Sequence, residues 1–441
     1  MLKKEYPTRV HLLAGNRDIN KLRFSSELSD SDLARHYTSI PRPHWSPSSP
    51  TLAEYLTELA QKRGIPSAEE LDCRAERLRY YYLHTLGCPA TFELQRREIA
   101  LLSGRTASEV SDNEVVDRVR ADVLPNGLMR QASDRCLLSR LAQYLEYAQL
   151  AVLLGNTLFV HGAIDRQTMG VVPADTTRFQ LPCQPQPVRA VSDLKEWVAE
   201  MNAFFRRGLE DHASRLEWDT TRQVRGGEQL LAVQNREASW GRTIVSNSYC
   251  DGGTITSELA SQTRPGLLEK AINDPHAFSE MCSDPADQKV ADWLLAHGVR
   301  RCIVGHKPSG DSPAVLSFAK TGVEVISADT SYADGKAPDG RGQSVTCVLL
   351  RGASLQETHA VIHGVLADGR AHETRLPTLG GPEHGSGGDL RVGTELEGGW
   401  WVKAKLSSPG SSGEVRYHCC RGKGRAVEYK EMMEEELKIL S

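Results

Sequence analysis

The sequence predicts a layered α/β fold, and three observations predict it. Short apolar runs each end in a polar island: Arg9-Val10-His11-Leu12-Leu13 before Gly15-Asn16-Arg17-Asp18, Leu158-Phe159-Val160 before His161-Gly162, and Arg301-Cys302-Ile303-Val304 before Gly305-His306. Amphipathic helical patterns lie between these runs, so helix and strand signals alternate. Each island also sets a nitrogen or oxygen donor where a buried strand gives way to a loop, the usual place for a site in an open α/β sheet. With 39% hydrophobic and 25% charged residues in 441, the chain can bury a core large enough for one big domain and an appendage.

In chain order, residues 8–14 read as a strand with Val10 and Leu12 on one face, closed by a Gly-Asn turn. Residues 29–131 read as helical. Ser49-Pro50-Thr51 looks like a capped start, and Leu52, Tyr55, Leu56 and Leu59 then recur at helical spacing. A second run covers 71–86, its arginines from Arg74 to Arg79 read as a solvated face. A third covers 136–150, with Leu137, Leu141, Tyr144, Leu145 and Ala148 on one stripe. Strand 157–160 follows, then helix 193–209 with Leu194, Trp197, Val198, Met201, Phe204 and Phe205 as its apolar face. Residues 242–247 read as a strand entering a Gly-rich turn, where Tyr249 and Asp251 are taken as ordinary turn residues. Helix 287–297 precedes strand 301–304, and strand 323–327 delivers Asp329.

Past Gly340 the period becomes two: strands at 344–350 and 359–366, a turn at Ala367-Asp368-Gly369, and a return toward Leu376. Glycine and proline mark 378–390 as a flexible linker. Strands near Trp400-Trp401, 413–420 and 425–429 suggest a small β module, closed by a charged helix at 430–440. The expected organisation is a main domain over 1–377 with a helical insertion at 29–131, the linker, and the module over 391–441.

Composition excludes several classes. A formal net charge of −4 with scattered basic residues leaves no electrostatic footprint for nucleic acid. The ten cysteines contain no Cys-x-x-Cys pair, so neither a zinc cluster nor a disulfide framework is expected. The N-terminus lacks the apolar core of a signal peptide, and the most apolar stretch, 150–160, is interrupted by Gly155-Asn156-Thr157 and too short to span a bilayer. A soluble, cytoplasmic protein without a membrane partner is expected.

Hydrolysis of a phosphate ester needs positive charge against the phosphoryl oxygens and a water acidic enough to attack at neutral pH, both of which divalent metals supply. Such metals take imidazole and oxygen donors, and Asn16, His161 and His306 offer one amide oxygen and two ring nitrogens. Arg17 adjoins them with a fork suited to substrate oxygens.

Gly15-Asn16-Arg17-Asp18, Phe159-Val160-His161-Gly162-Ala163 and Val304-Gly305-His306-Lys307-Pro308 resemble, in order, the Gly-Asn-His-Asp/Glu, Val-His-Gly-Gly and Gly-His motifs of the calcineurin-like metallophosphoesterases. The run from Lys3 through Tyr6-Pro7 and Arg9-Val10 to Leu12-Leu13 is similar to the approach to the third motif in the serine/threonine phosphatase branch. Residues 305–313 and 326–332 resemble the Gly-His-Thr-Pro loop and later Asp segment of bacterial-type and Shewanella-like phosphatases.

The resemblance covers roughly residues 1–375. It implies a β-sheet sandwich flanked by helices, with two divalent ions (Mn, Fe or Zn) of which Asn16, His161 and His306 would bind the second. Asp18 would stand where the family's acid orients its catalytic histidine, and Asp329 would orient His306. Arg17 replaces that histidine. Arginine stays protonated and cannot donate a proton near neutrality. The family also carries Asp-x-His and Gly-Asp-x-x-Asp-Arg upstream, which supply the other metal's ligands and the bridging carboxylate. Only fourteen residues precede Gly15 here and none matches, so ligands for one ion alone are evident. The expected activity is metal-dependent hydrolysis of phosphate monoesters, in a phosphoprotein or a small phosphoester. The alternative is an impaired pseudophosphatase that acts by binding. The abrupt start in a strand leads to the expectation of an N-terminally incomplete product.

Overall fold

The computed structural model describes residues 2–42, 49–123, 140–166, 168–176, 188–233, 249, 283–318, 320–330, 344–406, 415–423 and 426–440. The expected strand at 242–247, Asp251 and the start of the 136–150 helix lie outside them. The protein is a mixed α/β chain divided into two compact units. The first comprises Met1–Gln149, Ala174–Pro187 and Ala203–Asn235, and the second Leu150–Pro173, Val188–Asn202 and Arg236–Ser441. Among the described residues no helix is long and apolar enough to cross a membrane.

Among its described residues the first unit is mostly helical. Thr51 caps the Leu52–Arg63 helix, its Oγ1 accepting from the Glu54 N–H at 3.1 Å while Glu54 accepts from the Thr51 N–H at 2.6 Å. Left-handed Gly64 ends it. Leu52 and Leu56 are buried in one cluster with Phe24, Leu78, Tyr80, Tyr81, Tyr82, Phe92 and Val115, against which Tyr55 and Leu59 pack. The expected strand at 8–14 shrinks to Leu12–Leu13, parallel to Ala148–Gln149, because the N–H groups of Arg9 and Val10 turn back onto the Tyr6 carbonyl.

The solvated face expected for Arg74–Arg79 is a second correction. Arg77, in the Arg74–His84 helix, is fully buried. Its guanidinium takes Asp72 at 2.7 and 2.8 Å and the carbonyls of Asp32 and Arg35 at 2.8 and 2.9 Å. Arg79 pairs with Asp112 at 2.9 Å and stacks on Phe92. These guanidiniums tie loop carbonyls and carboxylates into the helical core, and helical periodicity cannot distinguish that use from solvation.

His212 is buried in this unit, its Nε2 3.0 Å from Ser25 Oγ and 3.2 Å from the Leu22 carbonyl. Burial pushes its pKa down to about 4 from an ordinary 6.5. A base with a depressed folded pKa binds fewer protons folded than unfolded, so stability is complete above 6.5 and drains as pH falls toward 4. The expected loss between those limits is about 3 kcal/mol. Urea denaturation at pH 7 and pH 4.5 measures it, and His212→Gln should flatten the difference.

The second unit holds a five-stranded sheet and a seven-stranded sheet. The first has the order Ala151–Leu154, Thr157–Val160, Arg301–Val304, Glu324–Ser327, Ala314–Ser317; its three central strands are mutually parallel and its outer two antiparallel. The second is an antiparallel meander of Val345–Ser354, Glu357–Val365, Ala371–Arg375, Trp400–Leu406, Arg416–Lys423 and Ala426–Met433, with Glu395–Leu396 on the fourth of these. Both sheets feed one core: Val315 and Ile326 of the first cluster with Ala360, Ile362, Val402 and Tyr417 of the second.

The Gly155-Asn156 turn is pinned in place. A Cβ on left-handed Gly155 would lie 1.9 Å from the Leu355 carbonyl oxygen, and the buried Asn156 amide donates to the carbonyls of Gln356 and Leu379. The stretch expected as a flexible linker is hydrogen-bonded in part, with Leu379 paired to Thr358 in both directions. The strands beyond it continue the same sheet as the three before it. The charged closing helix expected at 430–440 is also corrected. Ala426–Met433 is a strand paired along its length with Arg416–Lys423, followed by a short turn of 3-10 helix at Glu434–Glu436.

Candidate functional site

Three neighbouring parallel strands end at one edge of the five-stranded sheet, and each carries a singled-out residue just past its end. Thr157–Val160 leads to His161, Arg301–Val304 to His306, and Glu324–Ser327 to Asp329. The ladder continues beyond the strands: the Gly305 N–H donates to the His161 carbonyl at 2.9 Å, and the Ala328 N–H to the Val304 carbonyl at 2.8 Å. Register therefore sets the three loops side by side, outside the carboxyl ends of parallel strands.

His161 and His306 meet there. His306 Nδ1 lies 3.4 Å from His161 Nε2, with the rings edge to face at 5.4 Å between centroids. Both side chains are half-buried. Two N–H groups cannot face each other at this distance, so the nitrogens share either one proton or one cation. Two imidazole nitrogens bound tetrahedrally to one ion at about 2.0–2.1 Å stand roughly 3.3 Å apart. The pair thus has the spacing of two ligands of one metal ion. Among the described residues no group of three or more His, Cys, Asp or Glu side chains is arranged to hold a metal.

The His306 backbone is strained. Its φ is +78°, and the Lys307 N–H donates back to the Gly305 carbonyl at 3.1 Å, a γ-turn centred on a left-handed histidine. Side chains other than glycine rarely adopt such a φ, at a cost of about 1–3 kcal/mol, and such residues cluster at functional sites. Fixation comes from neighbours. Ser309, buried, donates its N–H at 2.7 Å and its Oγ at 3.0 Å to the Asp329 carbonyl. The His161 loop is held by buried Tyr249, whose hydroxyl donates to the Ile164 carbonyl at 3.0 Å and accepts from the Ile164 N–H at 3.1 Å. Nothing in the sequence near Tyr249 points to residue 164.

The remaining assigned residues belong to the first unit. Asn16 opens the Asn16–Asn20 helix instead of a loop after a strand, and Arg17 is exposed. Asp18 accepts from the Gly15 N–H at 3.0 Å, closing the first turn.

No protein-family model matches this chain, and no curated protein and no solved structure matches it.

Proposed function

We propose that the protein is a metal-dependent phosphoester hydrolase whose ion is held by His161 and His306. One observation carries this reading: two imidazoles from adjacent parallel strands approach to 3.4 Å, one of them in a strained left-handed turn. The resemblance of the three motifs to those of the calcineurin-like metallophosphoesterases suggests the reaction class, phosphate monoester hydrolysis on a phosphoprotein or small phosphoester, and a calcineurin-like layering of the two sheets. The same resemblance implies Asn16 as a further donor, Arg17 and Asp18 as groups near the substrate, and Asp329 as the residue that orients His306. A bound Mn, Fe or Zn ion would supply hydroxide at neutral pH and neutralise phosphoryl oxygens. The chain's own contribution is to hold two imidazoles in register at neighbouring strand ends.

A second reading, a non-catalytic phosphate- or partner-binding protein, is favoured by Arg17 in place of a proton-donating histidine. p-Nitrophenyl phosphate turnover with Mn²⁺, together with measured metal content, separates the two. Chelator-sensitive turnover that His161→Ala abolishes is the expected result. Metal binding without turnover favours the second reading, and neither metal nor turnover overturns the first.

A further inference from the structure

The loop that carries His306 continues through Lys307-Pro308-Ser309-Gly310-Asp311, and the seven-stranded sheet grips its far end at three successive residues. The Ser309 carbonyl accepts from Lys403 Nζ. Gly310, left-handed at φ +90°, lies so close to the next group that a Cβ there would stand 2.1 Å from the Tyr429 hydroxyl. Asp311 Oδ1 lies 3.1 Å from His418 Nε2. Lys403 lies mid-strand in Trp400–Leu406 and is 1% exposed.

A buried ammonium is costly unless its surroundings compensate. Lys403 has the Ser309 carbonyl as its acceptor, the Tyr429 ring at 5.6 Å, and Asp311 and Cys420 as charged or ionisable neighbours. Burial presses its pKa below the ordinary lysine value, against the pull of Cys420 and Asp311. An apolar side chain would fill the same space without this cost, so the ammonium does something that apolar packing would not. The bond it makes is to the residue that couples the His306 loop to the Asp329 strand end.

We infer that Lys403 is a positioning residue for the histidine pair: its buried ammonium clamps the Ser309 carbonyl and so holds the loop in the shape that keeps His306 left-handed and facing His161. Ser309 is then fixed from both sides, by the Asp329 carbonyl on one and Lys403 on the other. A turn that its own backbone disfavours persists only when such neighbours over-determine it. This inference rests on the reading of His161 and His306 as a donor pair.

The test uses the full chain with Lys403→Met and Lys403→Gln, and with Lys405→Met as a control on the same strand, 40% exposed and 3.8 Å from Asp389. Hydrogen exchange over residues 305–311 and Co²⁺ affinity, read from its visible absorption, are measured together. Lys403→Met is expected to speed exchange of that segment at least tenfold and to weaken Co²⁺ binding about tenfold, the low end of what loosening the support of a metal ligand costs. Lys403→Gln keeps an N–H donor and is expected to fall between wild type and Met, which a pure packing role would not produce. Lys405→Met should change neither. Unchanged exchange over 305–311 in Lys403→Met overturns the inference even if cobalt binds. Wild-type protein that binds no cobalt overturns the donor-pair reading, and the exchange data still decide whether Lys403 holds the loop. If Lys403→Met does not fold, Lys403→Gln against wild type decides by the same two readouts.

Discussion

His306→Gly is expected to abolish the proposed metal binding and, with it, the proposed phosphoester turnover, while making the protein more stable. The two effects have separate origins. Removing one of two imidazoles 3.4 Å apart leaves His161 as the one imidazole of the pair, too few to retain an ion at micromolar concentration. At the same time glycine adopts φ +78° freely, so the strain held by His306 is relieved, a gain of about 1 kcal/mol. His306→Ala keeps the strain and loses the ligand, so it should match the glycine variant in metal content and fall below it in stability. Metal analysis and urea denaturation of the two variants check the pair of claims. Retained stoichiometric metal in both would remove His306 from the site. Equal stability of the two would mean that the turn is not strained. Gain of stability with loss of function is the signature of a residue kept for its chemistry.

Arg301→Leu is expected to cost about 3–5 kcal/mol, the range for breaking a buried ion pair by removing one partner. Arg301 begins the strand that ends before His306 and is fully buried. Its Nε donates to Glu324 Oε1 at 2.5 Å across the parallel ladder, and its Nη1 to Thr358 Oγ1 at 2.9 Å on the other sheet. Leucine would strand the Glu324 carboxylate, which burial already pushes above its ordinary pKa despite Arg301. In the variant that pKa rises further. A carboxyl with a raised folded pKa gives stability that is complete below the unfolded value, near 4.3, and declines as pH climbs through the folded one. The deficit should therefore be smaller at pH 5 than at pH 8. Combining Arg301→Leu with Glu324→Leu should recover most of the loss, because no charge then stays buried. Denaturation of the single and double variants at both pH values is the check. A single-variant cost under about 1 kcal/mol would show that the pair contributes little to holding this strand.

Much of the scaffold around the site is written locally. Thr157–Val160 and Arg301–Val304 fall where their apolar runs place them, and the Gln288–Ala296 helix begins after Asp287, which caps it. A strand or an amphipathic helix announces itself through the period of its own side chains, and a cap through one residue and its neighbour three positions on. The candidate site was legible in part: two histidines at strand ends could be named, and parallel register brings them together.

Where the sequence reading failed, the deciding partner lay far along the chain. Residues 430–440 are rich in glutamate and lysine, good helix formers, yet the ladder to Arg416–Lys423 outweighs that preference and draws residues through Met433 into the sheet. The arginines of 74–79 look like a solvated face, but Arg77 meets Asp72 and carbonyls more than forty residues upstream. Tyr249 and Lys403 carry no local mark of their hold on Ile164 and Ser309. The sequence by itself determined which strands end in donors, because hydrophobic period and turn chemistry are properties of neighbouring residues. Only the tertiary structure decided that His306 is left-handed, how near it stands to His161, and which buried charges brace its loop, because those depend on bonds closed between segments tens to hundreds of residues apart.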